Sequence, residues 1–253
     1  MSENRSEPET GILAANTSGL PDHVGEAEIR ESAARERREK LRSFLTNWQG
    51  LTGLILVILF FASAIFAGWL APHDPNALDV PAQLGRDTFS RILYGGRVAL
   101  KIAAIGVSVA LVVGLILGMI AGFGPRWLDS LLLLVFDTVR SFPTIVLALA
   151  TVALTGPSLA VVLAIVIITS IPQYARVART ATLTLRNTDF ILAERSLGAS
   201  MTRTLLHHIM PNVAGPLLIL AAMDVPVVVT VEAGLSFLGL GAQPPTPEWG
   251  AML

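Results

Sequence analysis

Cysteine is absent from all 253 residues. Disulfides, zinc–thiolate sites, iron–sulfur clusters and a cysteine nucleophile are thereby excluded. Charge is also scarce: Asp, Glu, Lys and Arg make up 15% of the chain and cancel to a net charge of −1, so no basic excess exists to hold a nucleic acid. No G-x-x-x-x-G-K-[ST] occurs, and ATP therefore has no phosphate-binding loop of that kind. His207 and His208 are adjacent; on a helix their side chains diverge by about 100° and make a poor two-ligand metal site. Intramembrane hydrolysis needs a serine and a histidine at similar depth, and Ser170 has no histidine in an apolar run to match it. The start of the chain is polar, without the apolar core of a cleavable signal peptide.

What is present is apolar. Hydrophobic residues make up 53% of the chain, and the mean hydropathy is +0.64. That excess points to an all-α polytopic membrane protein. Residues 1–44 read as a cytoplasmic, largely disordered tail with a basic flank. Glutamates dominate its first part, and Arg35, Arg37, Arg38, Lys40 and Arg42 close it. Basic flanks favour the cytoplasmic side, which places the N-terminus inside. Residues 45–253 then carry five apolar runs: Leu51 to Ala71, Val98 to Gly122, Leu131 to Leu154, Ser158 to Ile171 and a little beyond, and Val213 to Val231. Each approaches the roughly 20 residues that cross a bilayer as a helix.

Residues 72–97 form an external loop whose latter part, with Phe89, Ile92 and Leu93, reads as an amphipathic helix. In the second span, Gly114, Gly118 and Gly122 recur every fourth residue on one face, which permits close helix–helix approach inside a bundle or against a partner membrane protein. In the third, Asp137 and Arg140 share a face and are placed to pair, while Pro143 predicts a kink. In the fifth, Asp224 lies near mid-membrane, where a carboxyl group needs a partner, a proton or a wet cavity.

The polar stretch 175–211 lies between the last two spans. Arg176, Arg179, Arg186, Arg195 and Arg203 give it a cytoplasmic sign. It reads as a helix, a break at Gly198, and a second short helix capped by Ser200 and stopped at Pro211, with Leu205, Leu206, Ile209 and Met210 on its apolar side.

Ala193, Glu194, Gly198, Ile209 and Pro211 resemble the EAA loop of permease subunits in bacterial ABC importers. Leu192 stands where that pattern has its leading Glu, and Met210 where it has Leu. Gly85, Arg86, Asp87, Ser90, Arg91, Tyr94, Gly95 and Arg97 resemble the G-R-D-x-x-S-R-x-x-Y-G-x-R signature of the C-type permease in dipeptide, oligopeptide and nickel importers. Asp137, Phe142 and Pro143 follow its D-x-x-x-x-F-P pattern. The block from Glu232 through Leu235–Gly241 to Gln243, Pro244, Pro245, Pro247, Trp249 and Gly250 is similar to its E-A-x-L-S-F-L-G-L-G-x-Q-P-P-x-P-x-W-G block.

The resemblance implies an ABC-importer permease domain with five of six expected transmembrane helices visible and a cytoplasmic coupling-helix loop at 175–211. The family's sixth span follows the terminal block, so the chain is expected to be C-terminally incomplete. The implied function is the transmembrane permease subunit of an ATP-driven importer in the bacterial inner membrane, moving peptides by alternating access. No catalytic residue, metal or cofactor is expected in the chain, because ATP is hydrolysed by partner subunits. The implied partners are a second homologous permease, two ABC ATPases at the cytoplasmic face and an external substrate-binding protein. The coupling residues are Ala193, Glu194, Arg195, Gly198, Arg203, Leu205, Ile209 and Pro211. Asp137, Arg140, Asp224 and Glu232 are candidates for a pathway or gate. Two other readings stay open: an ion-coupled secondary transporter working through Asp224, and a non-transporting fragment.

Overall fold

The computed structural model describes residues 35, 39, 42, 43, 46–76 and 87–253. The tail and most of the basic flank, and Gly85 and Arg86 of the signature, lie outside the described residues. Among those described, the regular structure is helical throughout. Residues up to Leu59 form one unit and residues from Phe60 another.

Helix α1 (Trp48–Ile65) is apolar on all sides, and Leu54, Ile55, Leu56, Val57, Ile58 and Leu59 are all exposed. A helix of this kind has lipid or a partner helix as its solvent. A short helix, α2 (Ala67–Leu70), follows. Helix α3 (Thr88–Phe123) then runs for 36 residues without interruption. The amphipathic segment expected in the loop is therefore the first part of the second span. At a rise of about 1.5 Å per residue the helix measures roughly 54 Å, longer than a hydrocarbon core of about 30 Å.

Between α4 (Arg126–Ser141) and α5 (Thr144–Thr155) the chain turns by 84°. The kink expected at Pro143 is a full break. Proline disfavours helical backbone in the residue before it, and both Phe142 (φ −86°, ψ 126°) and Pro143 (φ −58°, ψ 130°) are extended. Helix α6 (Leu159–Arg186) continues through Pro172 and carries the fourth span well beyond Tyr174.

The core is built where α3 meets α6. A Cβ on Gly114 would lie 2.5 Å from the Tyr174 Cβ, one on Gly118 would lie 2.6 Å from the Ala178 Cβ and overlap the Ala175 carbonyl, and one on Gly122 would lie 2.8 Å from Thr182. The glycine stripe thus packs within the chain. These pairs, with Gly106 against Val166, rise together along both helices, so α3 and α6 are parallel. Parallel neighbours need a connection that returns the whole length, and α4–α5 supplies it. The bent pair is one broken span, which brings the passes among the described residues to five. Its first arm is braced against α6: Asp129, at the start of α4, takes a two-pronged hydrogen bond from Arg179 (Nη2 to Oδ2 2.7 Å), and Asp137, nearer the break, pairs with Arg176.

Helix α7 (Asp189–Ser196), the short α8 (Met201–Thr204), a wide π turn (Leu205–Ile209) and α9 (Met210–Phe237) follow. Pro211 does not stop a helix; it occupies the first turn of α9, where a missing N–H costs least. In the π turn Met210 N–H reaches back to the Leu205 carbonyl. That extra residue per turn relieves the clash a proline makes with the carbonyl four residues earlier. The span from Met201 to Phe237 is therefore continuous over 37 residues.

Replacing Gly118 by Val should force α3 from α6 and cost about 1–3 kcal/mol of overpacking. Gly234, with nothing within 4 Å of its Cβ position, should accept Ala without loss. Apparent unfolding temperatures of the two purified variants check the contrast, and equal values would contradict the glycine seam.

Candidate functional site

Besides the α4–α6 ion pairs, three clusters of polar residues stand out among the described residues, and the helices hold them apart. The first is the segment around Gly198. Gly198 has φ +87°, the left-handed conformation that a side chain disfavours, and Ala199 N–H closes the end of α7 on the Glu194 carbonyl at 3.2 Å. That bond and the left-handed glycine make a Schellman end. Ser200 caps α8 by accepting from Arg203 N–H at 3.4 Å. Glu194 turns inward: its Oε1 lies 3.1 Å from His208 Nε2. Phe190 meets the His208 ring edge-on at 5.1 Å between centroids.

The apolar residues divide differently from the pattern expected of the segment. Ile209 is wholly buried and Leu205 packs against the same core, so neither is presented outward as a coupling contact. Phe190, Leu197, Met201 and Leu206 are exposed instead, Leu197 at 90%. Ala193, Gly198, Arg203 and Pro211 are also exposed. The backbone of Arg195 belongs to α7, and its side chain lies outside the described residues.

The second cluster lines a cavity of about 210 Å³ at the α4–α5 break. Arg140, Phe142 and Thr144 come from the bend, Thr169, Ser170 and Gln173 from α6, and Asp224 from α9. Asp224 is 7% exposed and accepts a 2.9 Å hydrogen bond at Oδ2 from the Tyr174 hydroxyl. The pairing expected of Asp137 with Arg140 does not form. Asp137 pairs with Arg176 across to α6, while Arg140, one turn further on, lines the cavity. Asp137 thus belongs to the brace.

The third cluster gathers at the start of α3. Asp87 caps that helix, accepting from Phe89 N–H at 3.1 Å and Ser90 N–H at 3.4 Å. The Ser90 hydroxyl also donates to it and, more than any other contact, holds its carboxyl below the ordinary value of 3.8. Arg91 donates to the Pro75 carbonyl at 3.1 Å and the Pro245 carbonyl at 3.2 Å. Arg97 holds the Ala64 and Ile65 carbonyls. The Trp249 indole N–H donates to the Ile92 carbonyl at 2.9 Å, and its ring fills the space a Cβ on Gly95 would need. Glu248, fully buried, accepts from Gly250 and Ala251 N–H, both at 2.7 Å.

Glu232 belongs here and not with Asp224. It is fully buried, near enough to Glu248 for their charges to interact, and takes a 3.3 Å hydrogen bond from Ser236. It stands two turns beyond Asp224 on α9, about 12 Å along the axis. Of the four pathway candidates, then, the fold brings Arg140 and Asp224 to one cavity and sends Asp137 and Glu232 elsewhere. Sequence reasoning missed Tyr174 as the partner of Asp224, Ser170 and Gln173 as residues lining the same cavity, and His208 as the partner of Glu194. No local pattern announces contacts between such distant positions.

Among the described residues no group of three or more His, Cys, Asp or Glu side chains is placed to hold a metal ion.

Comparison with known proteins gives two family matches. Residues 114–253 match the binding-protein-dependent transport system inner membrane component. Residues 37–86 match the N-terminal TM domain of oligopeptide transport permease C. A dipeptide transport system permease protein of Alkalihalophilus pseudofirmus is 38% identical over 240 residues, covering 89% of this chain and 79% of the relative. A di/tripeptide transport system permease protein of Pseudomonas aeruginosa is 36% identical over 236 residues, 85% of this chain and 78% of the relative. A glutathione transport system permease protein of Shigella dysenteriae is 40% identical over 227 residues, 84% of this chain and 75% of the relative.

Removing the Asp87 cap tests the third cluster. A group held below its ordinary value stabilises the fold above that value and ceases to do so as pH falls through the lowered one. Asp87→Ala should therefore lower the apparent unfolding temperature at pH 5, with the deficit shrinking as pH falls through and below the ordinary 3.8. A deficit that persists unchanged well below that value would assign the effect to something other than the charged cap.

Proposed function

The chain belongs to the binding-protein-dependent transport system inner membrane component family, and from that membership we propose how it works as the C-type permease subunit of an ATP-driven importer. It is a multi-pass membrane protein, and its relatives are transport components. The importer reading is favoured over ion-coupled secondary transport by these relatives.

The N-terminus and the 175–211 segment face the cytoplasm, and the Asp87–Trp249 cluster faces outward. Short peptides are the substrate class, because relatives are named for dipeptides, di/tripeptides and glutathione. A second permease completes the pathway, two ATPases dock at the cytoplasmic face and hydrolyse the ATP, and an external binding protein delivers the peptide.

The observation that carries the mechanism is the helix–break–helix around Gly198. Its exposed apolar residues, Leu197 and Met201 foremost, sit at the tip of the break beside Arg203. They form the surface for an ATPase cleft. Glu194 holds the tip to the span through His208 and does not reach a partner. Because α8, the π turn and α9 are one continuous span from Met201 to Phe237, a push at the tip moves the rod that carries Asp224. Such a motion selects between two arrangements of the same helices and makes no bond.

Gly198→Val should cut peptide uptake while leaving assembly with the ATPases intact; uptake at the wild-type rate with normal assembly would sink the hinge role.

Leu197→Asp and Ile209→Ala should separate contact from fold. The first should release the ATPases in a pull-down from membranes with wild-type stability. The second should cost about 2–5 kcal/mol as a core truncation. If Leu197→Asp retains the ATPases fully, the docking surface lies elsewhere.

A further inference from the structure

The cavity at the broken span holds one positive and one negative side chain that are not joined to each other. Arg140 has no ion-pair partner among the described residues, although Asp137, one turn away, is paired with Arg176. Asp224 faces the same cavity with Oδ2 fixed by Tyr174, and no hydrogen bond among the described residues occupies its Oδ1. Between them on α6, Ser170 and Gln173 also make no hydrogen bond among the described residues, whereas the Thr169 hydroxyl is spent on the Ile165 and Val166 carbonyls. Charged groups at membrane depth are costly and stay only where a partner or a wet cavity meets them. This cavity therefore presents a cation, an anion held only by Tyr174 and two neutral hydrogen-bonding groups, with Arg140, Ser170, Gln173 and the second Asp224 oxygen unpaired among the described residues.

We propose that Arg140 and Asp224 form a two-point site for a short zwitterionic peptide in transit, with the peptide carboxylate against Arg140 and its ammonium group against Asp224. The inference rests on the importer reading and adds a selective site within the permease itself. A guanidinium group is the side chain best shaped for a carboxylate, which it holds through two parallel N–H donors. Tyr174 aims the Asp224 carboxyl from behind and leaves its other oxygen for an ammonium donor. Ser170 and Gln173 face the peptide bond between the two ends. The volume of about 210 Å³ falls below the roughly 300–1,000 Å³ of pockets that enclose a drug-sized ligand. The site thus fits the charged ends of a small peptide and holds it weakly, as conduction through a membrane requires. A peptide capped at either end would leave either Arg140 or the buried Asp224 unanswered, and sites built for polar groups reject analogues that lack them.

The test uses the purified importer without its binding protein, so that selection by that protein cannot intervene. Binding of alanyl-alanine, its N-acetyl derivative and its C-terminal amide is followed by saturation-transfer NMR. Wild type should bind the free dipeptide and lose about tenfold in affinity when either end is capped, the loss expected when a hydrogen bond to a charged group is removed. In Asp224→Asn, which keeps an acceptor for Tyr174, acetylation should no longer matter while amidation still does; Arg140→Gln should show the reverse. Affinity indifferent to capping in wild type, or variants that discriminate as wild type does, would overturn the site. So would variants that lose uptake while capping never affects binding, since that pattern describes a gate closed by the two charges. Uptake of alanyl-alanine by the complete wild-type importer is measured in parallel: its absence would refute the importer reading, and its presence with indifferent binding would refute this site alone.

Discussion

Everything in the span region depends on how closely α3 approaches α6. Lipid offers no hydrophobic drive to pair two apolar helices, so contact area between backbones has to hold them. Gly114, Gly118 and Gly122 remove the side chains that would keep the helices apart, and Tyr174, Ala175, Ala178 and Thr182 occupy the space. The parallel sense of this contact then dictates the rest. The connection has to return the full length of the pair, and Pro143 with Phe142 breaks it midway. The cavity with Arg140 and Asp224 is the space left inside that break.

Two sequence signatures that are far apart in the chain turn out to be halves of one structure. The Asp87–Arg97 stretch and the terminal block meet where Trp249 packs on Gly95 and Arg91 bridges to Pro245. The buried Glu232 and Glu248 lie within the same knot. It fixes the end of α9 to the start of α3. At the other end of α9, the π turn and α8 lead into the Gly198 break. One rod is thus anchored at one end and runs into the Gly198 break at the other, with Asp224 between.

Much of this was legible from residue types. Apolar runs read as spans, because a bilayer accepts only backbone whose hydrogen bonds are satisfied internally. The glycine period, the Ser200 cap and the left-handed Gly198 were visible because each is a local steric or hydrogen-bonding property. Where reading failed, a competing partner had won. Asp137 pairs with Arg176, brought alongside by the packing of α6 against α4, and not with its helical neighbour Arg140. Ile209 went into the core although its segment reads as an exposed loop helix, since the π turn continues into α9. The first turns of α3 read as a separate helix because polar residues there resemble a loop boundary.

The sequence by itself determined the environment, the helical class, the family signatures and the positions where backbone must bend. These follow from short-range chemistry: hydropathy, proline and glycine geometry, and capping. Only the tertiary structure decided which charges meet. Asp224 with Tyr174, Glu194 with His208, Asp129 with Arg179 and Trp249 with Ile92 are pairings between distant turns of different elements. Such contacts depend on the register of one helix against another. The glycine seam sets that register, and no single segment contains it.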